Sequence, residues 1–209
     1  MTLPRRRFVP LDHEYARAVL DSRETPQRFD DALRRIDAGH VALDGFYEAE
    51  RGRGTPLALA VQQNELAIVD ELLRRGGDPN ARCVDEATEI ATPPIVHMAR
   101  SVEVLERLVA AGARLDAASI GGEAFLRHCI RMTRVTSHPS WTTMATRAVA
   151  LGADPKQRDD LEQDAAAFAA SMGARVAKAY ASIVGVAAAP AKAAKTENTA
   201  TKRVRRKPT

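Results

Sequence analysis

Gly54-Thr55-Pro56-Leu57-Ala58-Leu59-Ala60 begins, and Leu72-Leu73-Arg74-Arg75-Gly76-Gly77-Asp78-Pro79-Asn80-Ala81 ends, a segment with the marks of a helical hairpin. Thr55 offers a hydroxyl to cap a helix amino terminus, and Pro56 brings the fixed φ that a first helical position favours. Leu57 begins an apolar face that continues through Ala60, Val61, Leu66, Val69, Leu72 and Leu73. The pattern predicts one helix to about Gln63, a turn at Asn64-Glu65, a second helix to about Arg75, and a Gly that takes the left-handed conformation beyond the helix end.

The same grammar recurs outward from this hairpin. Leu108-Val109-Ala110-Ala111-Gly112-Ala113 and Ala148-Val149-Ala150-Leu151-Gly152-Ala153 repeat the apolar pair, the spacer and the Gly, and Ile36-Asp37-Ala38-Gly39 is a weaker copy. Gly39, Gly76, Gly112 and Gly152 are separated by 37, 36 and 40 residues. A period of this size marks helical repeats, each too small to hide its apolar flank without a neighbour.

Thr55-Pro56-Leu57-Ala58-Leu59-Ala60 resembles the opening T-P-L-H-x-A of ankyrin repeats, with Ala58 in place of the His. The resemblance implies an all-α, ankyrin-type solenoid of stacked helix-turn-helix repeats with irregular ends. On this reading 1–11 is a flexible segment and 12–184 is the repeat domain. The best repeat is 54–81, with degenerate copies at 12–44, 92–117, 122–156 and 160–184. The 92–117 copy opens at Pro93-Pro94 and is two residues short between its Pro and its Gly, which calls for a tight turn near Ser101. The 122–156 copy lacks Thr-Pro and carries an insertion between its helices near 133–140, with Pro139 and Trp141 inside it. At the ends, helix pairs are expected at 12–20 with 26–37, where Phe29, Leu33 and Ile36 share a face, and at 164–172 with 174–184.

Charge divides the chain. Residues 185–209 hold seven Lys or Arg against Glu197 alone, so this tail is +6 and the body is −2. The tail has no periodic apolar face and is expected to be disordered. Its Lys202, Arg203, Arg205, Arg206 and Lys207 offer a charge-based grip on nucleic acid or an acidic surface, or a nuclear import signal; a solvated, solubilising tail is the plainer alternative. No run approaches the ~18 apolar residues of a membrane span, and no secretion pattern opens the chain. Cys83 and Cys129 are far apart without CxxC spacing. Together these features predict a soluble protein with reduced, buried thiols in a cytosol-like compartment.

Signatures of chemistry are missing from the sequence. There is no Gly-rich phosphate loop, no nucleophile elbow and no H-E-x-x-H. His128 and Cys129 are neighbours, but adjacent helical side chains point apart and make poor joint ligands. His97 and His128 fall on the first helices of their repeats and read as packed residues. The expectation is therefore a non-catalytic chain with no cofactor and no metal.

The ankyrin resemblance further implies a protein partner held on a concave face built from turn tips and first helices. The positions it assigns to that face are Arg51, Arg53, Gln62, Gln63 and Arg82 on the best repeat, Glu89, Thr92 and Arg100 on the next, and Arg131 on the third; Trp141 is a candidate interface anchor. Each could equally be a solvated surface residue. Two further expectations are a nucleic-acid or nucleus-directed adaptor led by the tail, and a bacterial effector delivered to a host, in keeping with the Ala and Arg richness of the chain.

Overall fold

The computed structural model of the chain describes residues 3–12, 15, 26–49, 52–136 and 140–188. Among them are eight α-helices: α1 (Pro26–Asp37), α2 (Pro56–Gln63), α3 (Leu66–Arg74), α4 (Val102–Ala110), α5 (Phe125–Thr136), α6 (Ser140–Ala150), α7 (Ala165–Ser171) and α8 (Ala174–Ala188). A single 3₁₀ turn, Ile95–Met98, stands where the partner helix of α4 is expected. Pro93 and Pro94 explain the shortening. Neither can donate a backbone hydrogen bond, and Ser101 must already cap α4, its Oγ accepting the Val104 N–H at 3.3 Å.

The best-defined hairpin forms as its residues dictate. Thr55 accepts the Ala58 N–H on its hydroxyl, and Pro56 is the first residue of α2. Asn64 ends the helix at φ 60°, a left-handed conformation that Asn tolerates, and the chain reverses directly into α3. Thr55→Ala is expected to lower unfolding stability by about 1 kcal/mol. Urea denaturation followed by circular dichroism measures the loss.

Gly39, Gly76, Gly112 and Gly152 adopt φ of 76°, 91°, 92° and 100°, and a Cβ would meet nothing within 4 Å at any of them, so backbone conformation and not space selects Gly. Each closes a helix in the same way. Gly76 N–H bonds the Leu73 carbonyl and Gly77 N–H that of Leu72; Gly112 with Val109 and Ala113 with Leu108 repeat the pattern, as do Gly152 with Val149 and Ala153 with Ala148. Gly39 with Ile36 and His40 with Arg35 give the fourth copy.

The helices pack in two rows. One runs α2, the 3₁₀ turn, α5, α7, and the other runs α3, α4, α6, α8, each element touching the next in its row. Between the rows lie Leu57, Val61, Ile68, Leu72, Ile95, Leu105, Leu108, Phe125, Ile130 and Met144, all buried. Side-chain amides link successive helix pairs. Asn80 gives its side-chain amide to the Gly112 carbonyl and takes the Arg114 N–H, both at 2.9 Å, and Gln157 reaches the Asp116 carbonyl at 2.9 Å. Along the second row, Asp37 pairs with Arg75, Asp70 with Arg107 at 2.7 Å, and Glu106 with Arg147 at 2.6 Å. Most of these side chains are solvated and contribute little each. What they report is register, with a pair at the α1–α3, α3–α4 and α4–α6 steps.

Three expectations are corrected. The chain is mostly helical and not all-α: β2 (Val9–Pro10), β3 (Tyr47–Ala49) and β4 (Gly52–Gly54) form one small sheet, and β1 (Arg5–Arg6) pairs in parallel with β5 (Val84–Asp85) in another. Residues 5–6 and 9–10 of the segment read as flexible therefore have strand partners. The extra length of the 122–156 pair is not a loop around Trp141. Helix α5 continues to Thr136, and Trp141 lies in the first turn of α6; Pro139 falls outside the described residues. Finally, α8 runs past Val184 to Ala188, so the boundary expected at 185 falls within helix. Of the amino-terminal pair, α1 is present, whereas 13–14, 16–25 and the Phe29 side chain lie outside the described residues, as does everything from 189 on.

Candidate functional site

A cavity of about 390 Å³ opens between the Ile95–Ala110 and Phe125–Ala150 helix pairs. His97 and Met98 come from the 3₁₀ turn, His128 and Arg131 from α5, and two loops close the sides, one bringing Arg82 and Ile90 to Pro93 and the other Ser119, Ile120 and Glu123. The loops are strapped together by Arg82. Its Nε donates to the Thr92 carbonyl at 2.9 Å and a terminal nitrogen donates to the Ala118 carbonyl at 2.8 Å. Partial burial lowers the Arg82 pKa.

The floor is aromatic and charged. The His97 and His128 rings lie 4.9 Å apart between centroids, Phe125 flanks both, and Trp141 meets His128 edge-on at 5.6 Å. Glu123 takes hydrogen bonds from Arg131 at 2.7 and 3.3 Å, and its carboxylate is 3.7 Å from His128 Nδ1. Burial works against the charged form of Glu123, but contacts with His128 and Arg131 prevail and hold the carboxyl down at about 2. His97 is only 7% exposed. Burial first, and the nearby His128 next, push its imidazole down to about 3, so it is neutral at ordinary pH.

The expected surface positions distribute unevenly around this cavity. Arg82, Thr92 and Arg131 line it, and Trp141 packs against its His128 wall. Thr92 is buried, its hydroxyl taking the Cys83 N–H at 3.0 Å and facing the Cys83 carbonyl at 3.3 Å, so its side chain is spent on holding the loop. Glu89, at φ 56°, pairs with Arg5 across the β1–β5 corner. Arg53 lies away from the cavity, bonded to Glu48 and Asp85 with its guanidinium over the Phe8 ring at 5.7 Å. Gln62 and Gln63 are half-buried at the end of α2 and Arg100 is exposed. Arg51 and the tail residues Lys202, Arg203, Arg205, Arg206 and Lys207 lie outside the described residues.

His128 adjoins Cys129 in the chain, but in the fold its ring neighbour is His97. His97, Glu123 and His128 each present a donor atom, all within 4.8 Å of one another. The signal was available in the repeat register: both histidines sit in the first helical element of successive pairs, and stacking sets such positions side by side. Both cysteines are free and buried, with burial raising each thiol, that of Cys83 to about 11.

No helix among the described residues is long and apolar enough to cross a membrane. No curated protein matches the chain significantly. The ankyrin-repeat family model does match, over residues 54–84, which contain the Thr55-capped hairpin, its Gly76 terminus and the loop that runs on to the cavity wall. With that hairpin in place, the chain carries an ankyrin repeat at residues 54–84, a kind of unit that typically serves in protein–protein interaction.

Proposed function

We propose that the helix pairs at 92–117, 122–156 and 160–184 are degenerate ankyrin repeats continuing the one at 54–81, that together they form a solenoid, and that the chain binds a partner protein on the face holding the cavity. The observation that carries this reading is the rim. Ile90 and Ile120 are 56% and 77% exposed on opposite sides of the opening, large apolar residues held in water beside a polar, hydrogen-bonded floor. Apolar residues around a recess suit a partner side chain that fills it, and a scaffold ordered beforehand loses little entropy on association. Gln62 and Gln63 extend the same reading onto the first helix of the best repeat. Arg82 and Arg131 would supply charge-assisted hydrogen bonds to a partner's carboxylates.

Affinity capture with the full chain, compared against Ile90→Asp/Ile120→Asp and against Gln62→Glu/Gln63→Glu, tests the proposal. A specific partner should bind the rim variant at least tenfold more weakly, the size of effect expected for truncating an interface anchor. A partner whose affinity is the same for the parent and both variants would remove this face from consideration. One lost only on deletion of 189–209 would favour the basic tail.

A further inference from the structure

We propose that His97, Glu123 and His128 form a binding site for a divalent transition metal ion of the zinc class, with a coordination position open to the cavity. This site shares its cavity with the protein-binding reading above but does not depend on it.

The first observation is the donor set. Two imidazoles and a carboxylate converge from the 3₁₀ turn, the preceding loop and α5, with ligand atoms within 4.8 Å of one another. Nitrogen and carboxylate oxygen suit zinc and its neighbours, and three protein ligands leave room for water or an incoming group. Tetrahedral coordination at zinc bond lengths places donors roughly 3.3 Å apart, so the side chains draw inward on binding.

The second observation is independent of the clustering. His97 is buried, and its Nε2 has no hydrogen-bond partner. Buried polar atoms are ordinarily paired, and an unpaired one in a cavity wall calls for a reason.

The third concerns charge. A cation already stands at this place: Arg131 donates to Glu123 and approaches His128 Nδ1 at 3.0 Å. Its side chain is 38% exposed and can swing to solvent, leaving the carboxylate and the His128 nitrogen to a metal ion. On this proposal Arg131 competes with the metal ion, so removing its guanidinium should tighten binding.

Titration of the full chain with Co²⁺, followed by its visible absorption, and with Zn²⁺ by calorimetry tests the site. The expected result is one ion per chain, a spectrum of low coordination number, and at least tenfold weaker binding in Glu123→Gln and His128→Gln. Arg131→Ala is expected to bind several-fold more tightly. His97→Gln should also lose at least tenfold, and circular dichroism checks its fold; if that buried variant does not fold, the two less buried variants decide. Absence of stoichiometric binding, affinity unchanged in Glu123→Gln and His128→Gln, or weaker binding in Arg131→Ala would each overturn the proposal.

Discussion

Leu108→Ala is expected to cost about 3 kcal/mol of unfolding stability, within the range for large-to-small changes at sites that cannot collapse. Leu108 has no exposed surface, lies in the last turn of α4, and gives its carbonyl to the Ala113 N–H in the closure around Gly112. Helix α4 has a neighbour on either side, α3 and α6, so the cavity opens inside a stack and not at a free end. Where units are held mainly by their neighbours, such a defect weakens coupling between the two sides. Urea unfolding of the variant should show the lower midpoint and, if the two sides part company, a shallower transition. Leu161→Ala is the control. Leu161 is a leucine largely open to solvent, and its removal should stay within about 0.5 kcal/mol of the parent.

Arg127→Ala is the second large effect, a fall in Tm of roughly 10 °C. Arg127, on α5, forms an ion pair with Asp159 at 2.5 Å in which both side chains are almost wholly buried. It also donates to the Gln163 carbonyl at 3.2 Å and lies over the Phe168 ring at 4.3 Å, fastening the loop before α7 to the preceding helix pair. Removing the guanidinium leaves a carboxylate out of water with only the Leu161 and Gln163 N–H groups as partners. Arg127→Met/Asp159→Asn, which removes both charges and keeps most of the volume, should recover much of the loss, since breaking a buried pair is costlier than replacing it.

The pH dependence of that difference has a definite sign. The Arg127 hydrogen bond first, and the backbone N–H groups of Gln163 and Leu161 with it, hold the Asp159 carboxyl below its ordinary value of 3.8, against the opposing effect of burial. A carboxyl depressed in the folded state contributes stability that is fully present above the unfolded value. The contribution is lost as pH falls through the folded value. The gap in Tm between parent and Arg127→Ala should therefore be full at pH 7 and narrow as the pH falls through the carboxylate range. Thermal scans across that range measure it.

The helices were legible where local chemistry decides them. Thr55, Pro56, Asn64 and Gly76 each act within a turn of their own position, so their pattern predicts the α2–α3 hairpin almost to the residue. The left-handed glycines were legible for the same reason. Strands β1 and β2 were not, because Arg5-Arg6 and Val9-Pro10 carry no alternation and owe their conformation to Val84-Asp85 and Tyr47-Glu48, far along the chain. The length of α5 is not legible in the sequence, because nothing local distinguishes a helix continuing through Thr133 to Thr136 from an inserted loop. At the site, Arg82 and Arg131 could be placed by analogy between repeats. The burial of Thr92 could not, as it depends on a hydrogen bond to Cys83 across the loop. The meeting of Glu123 with His97 and His128 likewise needs two helix pairs in register, a property of the stack and of no single segment.

That stacking is tested most directly by amide-proton NMR of the full chain, through the side-chain bridges between successive pairs. Asn80 is expected to show strong contacts from its δ-amide to the Arg114 backbone N–H, and Gln157 from its ε-amide to the backbone at Asp116 and Ala117, alongside the short-range contacts of each helix. Helical contacts within 56–74 and 102–110 with neither bridge present would contradict the account, for the hairpins would then exist without standing against one another.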